Sequence, residues 1–170
     1  MKKLALPHTL VLITLQPLFS QKNVKTFLVV SYNVENLFDT INSPQFEDDE
    51  YTPSGSKAWT YDRYKKKLND LARVILSLPG KELPAIIGLA EVENRGVLED
   101  LCDVRGFRKG EYEIVHEDGL DPRGIDCALL YRPYLFKHKA HWYIPIVDPV
   151  DPEYLYRGIL HVHGKGPDGS

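Results

Sequence analysis

Residues 31–39 read Ser-Tyr-Asn-Val-Glu-Asn-Leu-Phe-Asp and begin within a short apolar run, Thr26 to Tyr32. That run is rich in β-branched residues, which predicts a buried strand that delivers Asn33 to one edge of a sheet. A second stretch, residues 88–94, reads Gly-Leu-Ala-Glu-Val-Glu-Asn and completes another predicted strand, Pro84 to Ala90. Oxygen ligands of this kind suit a hard divalent cation such as Mg²⁺, which keeps several waters and leaves room for phosphate. The two stretches together favour metal-assisted attack on a phosphate ester.

Composition is compatible with one ordinary domain but does not choose a substrate. The chain has 170 residues, of which 43% are hydrophobic, enough for a core. Its 21 Lys and Arg against 24 Asp and Glu give a net charge of −3. This balance argues against a general electrostatic grip on nucleic acid, which usually requires a basic excess. A local basic groove on an acidic protein would still serve a nuclease.

The N-terminus has the anatomy of a secretory signal peptide. Lys2 and Lys3 precede an apolar segment, Leu4 to Phe19, and Ser20 offers a small residue before Gln21. We therefore expect residues 1–20 to be a signal peptide and the chain to be exported, to the periplasm or the medium. The alternative is a buried N-terminal helix. Cys102 and Cys127 are not spaced as a metal clip or a redox pair, so we expect buried free thiols.

The remaining sequence alternates between helical and strand patterns. Apolar residues recur at three- and four-residue spacing over Tyr61 to Leu78, which predicts a helix that Thr60 caps and Pro79-Gly80 ends. Asn94 is positioned to cap a second, short helix. Further strands are predicted over Tyr112–His116, Ile125–Tyr131, Tyr134–Ile144 and Tyr156–His163. The pattern indicates a mixed sheet covered by helices, of the α/β (α+β) class.

Two other groups of residues could suggest a metal site, but ordinary surface positions explain them better. The run Glu47-Asp48-Asp49-Glu50 lacks the ordered alternation and the glycine of a calcium loop, so a solvated acidic loop is expected. A calcium-dependent surface protein is the alternative. His161 and His163 lack the further ligands that a zinc site needs. The run Lys65-Lys66-Lys67 is expected to be a wet helix face.

A third stretch, residues 123–133, reads Arg-Gly-Ile-Asp-Cys-Ala-Leu-Leu-Tyr-Arg-Pro. In this order the three stretches resemble the endonuclease/exonuclease/phosphatase superfamily, the deoxyribonuclease I-like fold shared with exonuclease III, sphingomyelinases and inositol-polyphosphate phosphatases. The resemblance is closest to exported bacterial members. It implies a four-layered α/β/β/α sandwich and a Mg²⁺ or Mn²⁺ site to which Glu91 gives a carboxylate, with Asn33 beside it. It also implies in-line attack by an activated water on phosphorus.

The later motifs of this superfamily do not occur in these residues. They are a histidine in an Asn-His-Trp-Pro-type stretch, a Gly-Asp-Phe-Asn stretch and a terminal Ser-Asp-His. We therefore expect residues 25–170 to be the N-terminal part of a domain of about twice the length, without the catalytic base and inactive as it stands. The alternative is a non-catalytic remnant or a binding module that retains only the N-terminal scaffold.

Three residues are candidates for substrate binding. Arg123 could fork onto a substrate phosphate, or it could pair with Asp121 or Asp126. Asp126 lies in an apolar strand, so if it faces the core it needs a partner, for which Arg123 and Arg157 are candidates. Arg157 precedes the last predicted strand and is also expected near the site.

The substrate class stays open between nucleic acid, phospholipid and inositol phosphate. Glu93 stands where nucleases of this fold often carry a basic residue that touches DNA. An acid there would repel a phosphate backbone, which argues against duplex DNA.

Overall fold

The computed structural model describes residues 27–78, 82–167 and 169. The predicted signal peptide and the Pro79-Gly80 helix stop lie outside the described residues. The described part contains six strands and two α-helices: β1 (Val29–Leu37), α1 (Tyr61–Leu76), β2 (Ile86–Val92), α2 (Arg95–Asp103), β3 (Glu113–His116), β4 (Asp126–Tyr131), β5 (Lys137–Ile144) and β6 (Ile159–Lys165). Short 3₁₀ turns cover Asp49–Tyr51 and Phe107–Gly110.

The strands form a mixed sheet of four and a separate hairpin. The larger sheet has the order β1-β2-β4-β3, in which β1 and β2 are parallel and the other pairs are antiparallel. Strands β5 and β6 pair with each other in an antiparallel sheet. Because β1 and β2 are parallel, they run toward the same edge of the sheet. Helix α1 is the crossover connection that a parallel pair requires.

The core lies between one face of the larger sheet and both helices. Leu89 pairs with Ala128 and Ile87 with Leu130, so these buried residues share a face. They pack in one cluster with the buried stripe of α1 and with α2, from which come Tyr64, Leu68, Leu71, Ala72, Ile75, Val97, Leu98 and Leu101. The mixed α/β class is confirmed; the four-layered sandwich stays a prediction.

The two helix starts differ in their capping. The Asn94 Oδ1 accepts a hydrogen bond from the Val97 N–H at 3.1 Å, so the predicted cap of α2 is confirmed. Thr60 precedes α1 in an extended conformation, but its side chain makes no capping hydrogen bond. Thr60 therefore occupies the N-cap position as predicted, but its side chain adds no capping bond, and α1 is stabilised by its apolar stripe.

The cysteines and the tryptophans are buried to different degrees. Cys102 and Cys127 are free, as predicted, and half-buried. Trp59 is buried, and its Nε1 donates to the Phe38 carbonyl at 3.0 Å. Trp142 is 52% exposed. Within the described ranges, no helix is long and apolar enough to span a bilayer.

Candidate active site

Asn33 and Glu91 meet at the edge toward which β1 and β2 run. Asn33 Nδ2 donates to Glu91 Oε1 at 2.9 Å, across 58 positions of sequence. Asn33 Oδ1 accepts from the Glu35 N–H at 2.8 Å, so both ends of the carboxamide are engaged and its orientation is fixed. The predicted juxtaposition is present. Glu91 keeps lone pairs for a cation, because a carboxylate accepts at about four positions.

The backbone around this pair is irregular in both strands. Four positions separate Asn33 from Leu37 on β1, whereas their partners Ala90 and Val92 are two apart on β2. The same two positions of β2 face adjacent residues of β4, which leaves Glu91 in a bulge. Bulges re-aim side chains that a regular strand would place elsewhere. This irregularity turns Glu91 toward Asn33.

Three residues in these bulges have left-handed backbone conformations. Glu35, Asn36 and Glu91 have φ angles of 54°, 62° and 68°. Such angles cost about 1–2 kcal/mol for a residue with a Cβ, and they persist where surrounding contacts fix them. Strain of this kind concentrates at functional sites.

Lys67 of α1 holds the bulge of β1. Its Nζ donates to the backbone carbonyls of Glu35 and, at 3.1 Å, of Asn36. Burial lowers the pKa of Lys67, while the negative charges of Glu35 and Glu91 act in the opposite direction. The prediction that the whole lysine run is a wet helix face is thus wrong for Lys67. Its position three residues after Tyr64 places it beside the buried stripe, a signal that could have identified it.

Arg157 approaches the same carboxylate. Its Nη2 lies 4.0 Å from Glu91 Oε1, and its side chain is 25% exposed. Its Nη1 is buried without a hydrogen-bond partner among the described residues. A buried guanidinium donor without a partner is costly, so this atom is suited to an acceptor such as a phosphate oxygen.

Arg123 forms an ion pair with Asp121, one of the alternatives that the sequence left open. Its Nε and Nη2 donate to the Asp121 carboxylate at 2.9 and 2.7 Å. Burial alone would raise the pKa of Asp121, but the bonds from Arg123 outweigh it and hold that pKa below its usual value. Arg123 and Arg157 nevertheless line one pocket of about 450 Å³, together with Tyr154 and Tyr156.

Asp126 does not have the partners suggested for it. It is buried, and its Oδ1 accepts from the Gly119 N–H at 2.9 Å. Its Oδ2 lies 3.6 Å from His116 Nε2, and among the described residues it forms no ion pair with Arg123 or Arg157. A buried carboxylate with these neighbours offers no donor to a phosphate, so these contacts do not support a substrate-binding role for Asp126, which stays a prediction.

Glu93 is buried, although the sequence suggested that it would face a substrate. It is 5% exposed, and its Oε2 accepts from the Asp39 N–H at 2.6 Å. Burial, and to a lesser extent the nearby Asp39 and Asp48, raise its pKa to about 7 against two stabilising hydrogen bonds. Because Glu93 is not presented to a ligand, it gives no reason to exclude duplex DNA as a substrate.

The acidic run near residue 48 is only partly solvated. Asp48 is 2% exposed, and both its oxygens accept from the Ser43 N–H at 3.0–3.1 Å. It therefore fixes a turn from inside, while Glu47 and Asp49 remain exposed.

The described residues form an α/β protein with a mixed sheet and helices on one face of it. At the edge of this sheet, an Asn–Glu pair forms a polar, oxygen-rich site. The model of the Endonuclease/Exonuclease/phosphatase family matches residues 28–168. The chain belongs to this family. Enzymes with this domain hydrolyse phosphoester bonds and usually use divalent metals. No curated protein and no solved structure matches the chain significantly.

Proposed function

We propose that this chain carries the metal-binding part of a phosphoesterase that cleaves phosphodiesters or phosphomonoesters with an activated water. The observation that supports this most is the Asn33–Glu91 contact of 2.9 Å, with Arg157 beside it. The donor set fits a hard cation, because it offers one carboxylate and leaves the other coordination positions to water and phosphate oxygens. Mg²⁺ is the proposed ion, with Mn²⁺ as a substitute.

The residues divide the work. Glu91 would hold the cation, and Asn33 would fix the orientation of that carboxylate. The buried Nη1 of Arg157 would donate to a phosphoryl oxygen, and Lys67 would keep the bulge in place. The bound cation would supply neutralisation of the charge that builds on the phosphoryl and leaving oxygens.

The family resemblance also implies a larger domain and an exported protein. We propose that the described residues are the N-terminal part of a four-layered sandwich. We also propose that residues 1–20 are a signal peptide that directs export of the protein. The later family motifs, which supply the histidine and the aspartate that activate the nucleophile, do not occur in this sequence. Turnover is therefore expected of the complete gene product, and little or none of the 170-residue chain alone.

Hydrolysis of a model phosphodiester by the complete gene product tests the proposal. With Mg²⁺, Glu91→Gln should lower kcat by roughly 10²-fold or more, the scale observed when one electrostatic interaction with a transition state is removed. Glu99→Gln is the matched control, because Glu99 is an exposed carboxylate that pairs with Arg95 on α2. Equal activity of Glu91→Gln and the unchanged protein would refute the assignment.

The second candidate is a non-catalytic remnant or binding module. The absence of the later family motifs from this sequence favours it. It predicts no hydrolysis by the complete gene product under any divalent cation, with the fold intact.

A further inference from the structure

A second group of potential metal ligands lies at the start of β4, apart from Asn33 and Glu91. One ring nitrogen of His116 and one carboxylate oxygen each of Asp118 and Asp126 lie within 4.8 Å of one another. Its members come from the end of β3, the loop that follows, and β4, so no single sequence motif marks the group. His116 pairs with Ala128, which places His116 and Asp126 on one face of the sheet.

The imidazole of His116 is the most informative member. Its side chain is 3% exposed, and Nε2 has no hydrogen-bond partner among the described residues. Nε2 faces Asp126 Oδ2 at 3.6 Å, and Nδ1 faces Asp118 Oδ1 at 3.8 Å. Both distances exceed those of a charged hydrogen bond, about 2.7–2.9 Å, so neither contact satisfies the ring.

The distance between His116 Nε2 and Asp126 Oδ2 suits two ligands of one ion. A tetrahedral Zn²⁺ with Zn–N and Zn–O near 2.1 Å separates adjacent ligand atoms by about 3.4 Å. The separation of 3.6 Å between Nε2 and Oδ2 is close to this value. Asp126 Oδ1 is already fixed by the Gly119 N–H, which leaves Oδ2 directed at the histidine.

We propose that His116, Asp118 and Asp126 form a metal site for Zn²⁺ or a similar divalent transition-metal ion. Imidazole together with carboxylate suits such ions, whereas Mg²⁺ prefers oxygen ligands alone. Asp118 is 78% exposed, so it closes the site on the solvent side and lets the ion enter. The fourth position is left to water.

A metal here would have a structural consequence. It joins β3 to β4 and closes the loop between them, which carries Asp121 and Arg123. Fixing this loop would hold Arg123 at the pocket that it shares with Arg157. The site would therefore fix this loop beside the proposed phosphoesterase site. The inference that a metal binds here does not depend on the proposed function.

Zinc titration of the 170-residue chain tests the site, with excess Mg²⁺ present to occupy the Glu91 site. The chain should bind one Zn²⁺, and its Tm should rise with zinc concentration, because a ligand that binds only the folded state stabilises it. Cobalt substitution should give the visible absorption of a tetrahedral ion. Glu91→Gln should bind zinc as the unchanged chain does, which separates this site from the proposed function.

The variants should discriminate the ligands. His116→Gln and Asp126→Asn should abolish the zinc-dependent rise in Tm. Asp118→Asn, at an exposed position that should not disturb folding, should weaken binding by about tenfold or more, since even outer-shell partners of metal ligands contribute that much. His161→Gln removes an exposed histidine and should change nothing. No zinc uptake by the unchanged chain, or uptake unaffected by Asp118→Asn, would overturn the proposal.

Discussion

Glu91 and Glu93 are two positions apart at the end of β2, yet their surroundings give them different chemistry. The bulge at Glu91 directs its carboxylate to Asn33 at the sheet edge. Glu93 turns inward, where burial raises its pKa to about 7. One is suited to hold a cation, and the other stabilises the turn at Asp39 through its hydrogen bond. Residue type alone would not separate them.

The raised pKa of Glu93 predicts a pH-dependent stability. Between the ordinary carboxyl pKa of 4.5 and about 7, the folded chain binds more protons at Glu93 than the unfolded chain. The free energy of unfolding should therefore fall as the pH rises through this window, by on the order of 3 kcal/mol from this group. Urea denaturation at pH 5 and pH 8 measures the difference.

Glu93→Gln should remove most of that slope. The amide oxygen can still accept from the Asp39 N–H, but no buried charge forms at high pH. We expect the variant to be more stable than the unchanged chain at pH 8. Glu99→Gln, on the exposed face of α2, controls for loss of a surface carboxylate. An unaltered pH slope in Glu93→Gln would contradict the assigned pKa.

At the scale of elements, the helix caps offer a matched comparison. Asn94 accepts a hydrogen bond from Val97 N, whereas the Thr60 side chain makes none. Asn94→Ala should lower the free energy of unfolding by about 1 kcal/mol, and Thr60→Ala by clearly less. Chemical denaturation of both variants measures this. Equal losses would mean that the α2 cap contributes no more than an ordinary surface contact.

The bulge of β1 gives a second comparison at this scale. Glu35 has a φ of 54°, a conformation that glycine adopts without steric cost. Glu35→Gly should therefore leave the free energy of unfolding unchanged or raise it by up to about 1 kcal/mol. Glu99→Gly, in the helical backbone of α2, should lower it by about 1 kcal/mol, and urea denaturation measures both changes. A loss of similar size in both variants would show that the bulge is not strained at Glu35.

At the scale of the whole molecule, local patterns were sufficient to predict the elements, and the family resemblance implied one long-range contact. The apolar runs located β1 and β2, and the contact between Asn33 and Glu91 that the resemblance implied is present in the structure. The left-handed residues could not be foreseen, because neither Glu35 nor Glu91 is a glycine and tertiary contacts impose their conformation.

Buried acids were the other limit of prediction from sequence. Carboxylates are almost never fully buried without a partner, so surface positions were expected for Asp48 and Glu93. Their partners are backbone N–H groups of Ser43 and Asp39. The Asp39 contact with Glu93 spans 54 positions, so no local pattern marks it. The cluster around His116 was not foreseen, because its members lie at the end of β3, in the following loop and at the start of β4.

We propose above all that Glu91, oriented by Asn33, holds a divalent cation. The most direct measurement is the broadening of backbone amide signals by substoichiometric Mn²⁺ in the NMR spectrum of the isotope-labelled chain, with zinc present to occupy the His116 site. We expect residues 33–36 and 90–92 to broaden first, and we expect Glu91→Gln to lose this effect while Glu99→Gln keeps it. Broadening that spares residues 33–36 and 90–92, or that survives in Glu91→Gln, would contradict the claim.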